Sequence, residues 1–134
     1  MKTKLFIVAL LFTFFSCSKN EMDLAKAKET AENCLNTIAK EDYTKVRNEY
    51  YSNDLGGAEP AEELDSKFKK LKEVTGDLQS FELKESSISA EMGEETKAVL
   101  TYSVKHARVT TIEKFTIIIE NGKYKIAGHD IKNE

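Results

Sequence analysis

The sequence predicts an α+β domain in which N-terminal helices pack on a bent, four-stranded antiparallel sheet. Three observations carry this. Apolar residues recur at three- and four-residue steps between Leu24 and Leu71. From Phe81 onward the period changes to two. Asn121-Gly122, set between two alternating runs, is the dipeptide that a two-residue hairpin turn favours, because both of its residues need a positive φ.

The first helix opens after Asp23, whose carboxylate is suited to cap it. Leu24, Ala27, Ala31, Cys34 or Leu35, and Ile38 form one apolar stripe, and Lys26, Lys28, Glu29, Glu32, Asn36 and Lys40 lie opposite. Asp42 caps a second short helix over residues 43–51, with Val46 and Tyr50 inward. Residues 52–57, with Asn53, Asp54, Gly56 and Gly57, read as a loop. Pro60 sits where a first helical turn accepts it, Glu62 and Glu63 complement the helix dipole, and Ala61, Leu64, Phe68 and Leu71 carry the stripe to a stop at Gly76.

The strands follow. Phe81 and Leu83 begin one, and Ala98, Leu100, Tyr102 and Val104 alternate with polar residues in the next. Phe115, Ile117 and Ile119 belong to a third, and residues 124–131 form the fourth. Phe81 and Leu83 are odd-numbered whereas Ile88 is even, so a bulge is expected near residues 85–87, and with it a bend in the sheet.

The start of the chain is of another kind. Lys2 and Lys4 precede an apolar run over residues 5–15, and Ser16-Cys17 follows, the layout of a secretory leader. The run is about half the roughly 20 residues that a membrane-spanning helix requires. Phe14-Phe15-Ser16-Cys17 resembles the lipobox of bacterial lipoproteins, with two Phe where aliphatic and small residues are usual. The resemblance implies cleavage before Cys17, acylation of its thiol, and an exported protein anchored by lipid in the cell envelope, expected at the outer membrane. The expected organisation is a leader over 1–16, a lipidated Cys and tether over 17–22, and one domain over 23–134.

Losing Lys2 and Lys4 with the leader moves the formal net charge from −3 to −5. A mildly acidic domain has no electrostatic pull toward nucleic acid or an anionic membrane, so attachment falls to the lipid. With Cys17 acylated, Cys34 has no disulfide partner; without acylation, a Cys17–Cys34 pair is open.

Helices first and a bent sheet after, with residues 111–115 leading through Asn121-Gly122 to residues 123–126, resemble the cystatin-like, nuclear-transport-factor-2-like cone, in particular the small domains of unknown function in bacterial lipoproteins. The likeness covers about residues 25–131. A small outer-membrane assembly lipoprotein with a helix pair and a β-meander is the rival resemblance. The cone superfamily holds isomerases, dehydratases, transport factors and binding modules, so the fold leaves the activity open. It also implies dimerisation through the outer face of the sheet, as in many of its members.

Extending the Asn121-Gly122 register pairs Ile119 with Tyr124, Phe115 with Gly128 and Glu113 with Asp130. A two-residue Ala107-Arg108 turn pairs Tyr102 with Glu113. Tyr102, Glu113 and Asp130 then form a row on the apolar face, where two close carboxylates would push one pKa up, as an acid/base pair requires. The alternative is a solvated row at the open end of the sheet. His106 falls at a strand end, at an exposed rim. His129 falls on the outer face across from Lys114. Cys34, on the apolar stripe, reads as a buried thiol. Neither His stands at a metal-ligand spacing from another His or Cys, and no phosphate loop or nucleophile elbow occurs, so no metal or cofactor is expected. Tyr50, Phe68, Tyr102, Phe115 and Tyr124 are expected to converge between helices and sheet, as core or as the lining of a small-ligand pocket.

Three functions remain. The first is a lipid-anchored accessory module that binds a small ligand or an envelope protein and is not an enzyme. The second is an isomerase or hydro-lyase with Glu113 or Asp130 as base and Tyr102 as donor. The third is a structural accessory of an envelope complex, docked through an apolar patch or through the exposed edge of the meander.

Overall fold

The protein is represented by a computed structural model that describes residues 21–134. The expected leader over 1–16, Cys17 and the expected tether as far as Asn20 lie outside the described residues. Helix α1 (Leu24–Ala39) begins where the Asp23 carboxylate accepts the Ala25 N–H at 2.8 Å. It buries Ala27, Ala31, Cys34 and Leu35 against the sheet, and the small side chains let its backbone come close. The helix ends in a Schellman motif: Glu41 N–H donates to the Ile38 carbonyl at 2.9 Å and Asp42 N–H to that of Thr37 at 3.2 Å. Glu41 is left-handed there, at φ 59°, which costs about 1 kcal/mol in a non-glycine residue.

Asp42 caps α2 (Tyr43–Lys45), and the chain then widens into a π-helical turn over Val46–Tyr50. The Tyr51 N–H reaches back five residues to the Val46 carbonyl, at 3.0 Å. The wider turn advances the inward position by one residue. Tyr51 is buried, and Tyr50, expected inward, is only half-buried. Residues 53–57, expected as loop, form helix α3 (Asn53–Gly57), because the Ser52 hydroxyl accepts the Leu55 N–H at 3.2 Å. Tyr51 makes a parallel bridge to Ile126, and the Ser52 N–H donates to the Ile126 carbonyl at 2.8 Å. Helix α4 (Ala61–Thr75) follows Pro60 and stops at Gly76, as expected.

The strands β1 (Leu78–Ser89), β2 (Lys97–His106), β3 (Thr110–Glu120) and β4 (Lys123–Asn133) pair antiparallel in the order β1-β2-β3-β4. The α+β architecture of helices followed by a four-stranded antiparallel sheet is therefore the observed one. The β2–β3 turn is two residues, Ala107-Arg108, closed by His106 N–H to the Val109 carbonyl at 2.9 Å. Ala-Arg is weak turn chemistry, and its support comes from outside. The Ala107 and Arg108 N–H groups donate to the carbonyls of Asp77 and Thr75, each at 2.9 Å, and the Arg108 guanidinium donates to that of Glu73.

Three bulges break the registers, at Gln79, Lys84 and Ala127. That at Lys84 moves Leu100 and Ala98 opposite Ser86 and Ile88, the change of phase already visible in the sequence. That at Ala127 is decisive for β4. Before it Ile117 pairs with Ile126; after it Thr116 pairs with Gly128, Phe115 with His129, Lys114 with Asp130 and Glu113 with Ile131. One slipped residue exchanges the two faces of a strand.

The core lies between α1 and one face of the sheet and contains Leu35, Val46, Leu100, Tyr102, Val104, Phe115, Ile117 and Ile126, each without exposed surface. The domain has two poles. Asp23 and the 121–122 and 90–96 connections lie at one. The end of α1, Gly76, the Ala107-Arg108 turn and Glu134 lie at the other.

Gly76 is expected to resist substitution for two reasons at once. Its φ of 84° with ψ of −173° belongs to glycine alone, and an added Cβ would stand 2.8 Å from that of Ala107. Gly76→Ala should destabilise by about 2–4 kcal/mol in urea unfolding. Gly93→Ala, at φ 82° in open space, should cost about 1 kcal/mol. Equal midpoints for the two variants would show that the contact with Ala107 contributes nothing.

Candidate functional site

The bulge at Ala127 assembles a polar cluster inside the apolar core. It turns His129 inward, and His129 Nε2 lies 2.7 Å from Glu113 Oε1. Nδ1 of the same ring lies 2.8 Å from the Tyr51 hydroxyl, which the π-helical turn has brought inward. In either protonation state of the imidazole, Nε2–H donates to Glu113; Nδ1 accepts from Tyr51 when neutral and donates to it when charged. The Thr111 hydroxyl donates to Glu113 Oε2 at 2.9 Å, and His106 Nε2 stands 3.1 Å from that hydroxyl and 3.6 Å from Oε2. The Phe115 ring stacks on His129 with centroids 4.2 Å apart, and Tyr51 meets the same imidazole edge-on at 6.1 Å.

Glu113 is 3% exposed. Burial pushes its carboxyl up, and the groups of His106, His129 and Thr111 more than offset this, so it is held at about 2. The carboxylate therefore stays charged in the core. Burial, reinforced by Glu113, raises the Cys34 thiol, and burial raises the Tyr51 phenol. Cys34 is thus a protonated packing residue, as the apolar stripe implied, and no nucleophile.

The row of Tyr102, Glu113 and Asp130 does not form. Tyr102 pairs with Glu113 as expected, but its hydroxyl donates to Glu32 at 3.4 Å. Asp130 pairs with Lys114 and is exposed on the outer face. The difference is one residue of register: a hairpin continued past Ala127 without the bulge sets Glu113 against Asp130, and the bulge sets it against Ile131. The same bulge turns His129, expected on the outer face across from Lys114, inward beside Phe115. His106, expected at an exposed rim, is buried because the turn after it is covered by the α4–β1 junction. Glu113, far from being raised as a general base, is lowered and fully engaged.

The five aromatics meet as core rather than as the lining of a pocket: Phe68, Tyr102 and Phe115 are buried in it, and Tyr50 and Tyr124 pack half-buried against it. Tyr102 and Phe115 are edge-to-face in the closed core, with centroids 5.8 Å apart. Phe68 stacks on Tyr43 at 5.0 Å. Tyr50 and Tyr124 line a surface groove with Lys26, Glu29 and Asn33. Two hollows border the buried cluster, one at His106 and one at Tyr51. His106 borders a cavity of about 30 Å³ between Ile38, Phe68 and Leu78, room for one or two waters. Tyr51 borders a polar hollow with Arg47, Asn48 and Lys125.

The outer face of the sheet carries the larger concavity, about 540 Å³. Glu85, Thr101, Lys114 and Asp130 cross it as one row over the four strands, with Val99 and Ile112 on its floor and Lys132 at its side. Charges of both signs alternate there. Among the described residues no group of three or more His, Cys, Asp or Glu side chains is placed to hold a metal ion, and no helix is long and apolar enough to cross a membrane. The chain matches no family model, and no curated protein is significantly similar to it.

Because the Glu113 carboxyl is lower in the folded chain than in the unfolded one, its contribution is present above about pH 4.5 and lost as pH falls toward 2. Glu113→Gln is expected to lower stability by about 2–4 kcal/mol at pH 7, since an amide cannot accept from His129 and Thr111 together. In urea titrations that gap should close between about pH 4.5 and pH 2. Asp130→Asn, on the exposed face, should leave the midpoint within about 0.5 kcal/mol of the parent.

Proposed function

We propose that the chain is a lipid-anchored envelope protein whose domain serves as a non-enzymatic binding module. The observation that carries this reading is Ser16-Cys17 at the end of the 5–15 apolar run, only six residues ahead of α1 Asp23 cap. A thiol in that place is suited to acylation, and acyl chains contribute about 0.8 kcal/mol per buried CH₂ to anchoring.

The site geometry favours binding over turnover. Glu113 and Asp130 lie on opposite faces and cannot share a proton. The His129–Glu113–Thr111 cluster is spent on itself within a filled core, which leaves the surface as the place of recognition. The outer face of the sheet offers the partner or ligand a trough of alternating charge over Val99 and Ile112. Dimerisation through that face is one further use of it.

The reading is tested by metabolic labelling with an alkyne-bearing fatty acid in a bacterium that processes lipoproteins. The parent chain should carry the label, lose about residues 1–16, and sediment with membranes. Cys17→Ser should lose the label and the membrane association while the domain keeps its thermal midpoint. An unlabelled parent chain would overturn the anchor.

A further inference from the structure

We infer that the pole of the domain bearing the 90–96 connection and the Asn121-Gly122 turn faces the lipid headgroup surface, and that the opposite pole, with the Ala107-Arg108 turn, points away from it. This deepens the reading of Cys17 as the anchor and rests on it.

Two lengths make the assignment. From Cys17 to Glu21 there are four residue steps, which span at most about 14 Å when fully extended. Strand β2, Lys97–His106, runs from one pole to the other over 10 residues, or about 33 Å. The chain enters the domain at a fixed point. The Asp23 N–H donates to the Tyr124 hydroxyl at 3.0 Å, and that hydroxyl lies 3.4 Å from the Glu21 carbonyl, which accepts from it. Tyr124 pairs with Ile119 directly beside the Asn121-Gly122 turn. A lipid on Cys17 therefore holds this pole within reach of the headgroups, and an upright domain carries the other pole beyond the reach of the tether.

The chemistry of the pole suits a neutral surface. Three large apolar side chains are exposed among the described residues, and two of them, Ile88 and Met92, stand here. Glu91, Glu94 and Glu95 flank Met92 in the sequence, against Lys97 and Lys123, so the pole has no attraction for anionic lipid and is brought to the surface by the acyl chains. A zwitterionic headgroup layer accepts such a rim, with Met92 at its tip.

The test uses the full acylated chain on phosphatidylcholine vesicles doped with a nitroxide-headgroup lipid. One fluorophore is placed at Met92→Cys or at Asn133→Cys, both exposed; Cys34 is buried and stays unlabelled. The expected result is several-fold stronger quenching at 92 than at 133. Equal quenching, or stronger quenching at 133, in a protein that carries its acyl mass and floats with the vesicles overturns the orientation. A protein without acyl mass that fails to float overturns the anchor itself, and the two failures are read separately.

Discussion

A single buried carboxylate ties the structure together. Glu113 is charged in the core and accepts from His129 and Thr111, with His106 behind the latter. Its partners come from the end of β2, from β3 and β4, and, through His129, from Tyr51 in the π-helical turn. An isolated charge in such a place would be prohibitively costly, and each donor offsets part of the cost only if all are in place together. The cluster therefore adds little net stability and excludes alternatives. A β4 without its bulge would bring Asp130 against Glu113 and leave an unmatched pair of carboxylates inside.

The same constraint explains two departures from regular geometry. The bulge at Ala127 and the π-helical turn over Val46–Tyr50 each add one residue to an element, and each turns a polar side chain inward, His129 and Tyr51. The two side chains meet at 2.8 Å. Neither irregularity is favourable by itself. Together with the Tyr51–Ile126 bridge they fasten the helical segment to β4, which would otherwise be an open sheet edge. The closed core follows: Phe115 lies between Tyr102 and His129, and the aromatic set is consumed in packing rather than in lining a pocket.

A domain closed in this way meets its surroundings through its surfaces. The outer sheet face and the two poles are the features left to act, and the 90–96 connection stands at the pole where the chain enters at Glu21. The arrangement divides labour simply. The buried cluster fixes the shape, and the fixed shape sets which pole lies beside Glu21.

The order of helices before strands, the Asp23 cap, the Gly76 stop and the bulge in β1 were legible in the sequence, because each depends on local propensity or on a period maintained over several residues, whereas the Tyr102–Glu113 pairing depends on a turn that the α4–β1 junction supports from outside. The bulge in β4 left the same kind of mark as that in β1: the apolar phase passes from Tyr124 and Ile126 to Ile131, with Gly128 between. That signal could have placed His129 inward. The π-helical turn left none, since one added residue in a turn of five changes no pattern. What the sequence determined by itself was the class of fold and the residues available for the core. What only the tertiary structure decided was which polar residues enter that core. A one-residue slip reverses a face, and the choice between the two faces is made by the energy of satisfying one buried charge across four distant segments, which no local window of sequence contains.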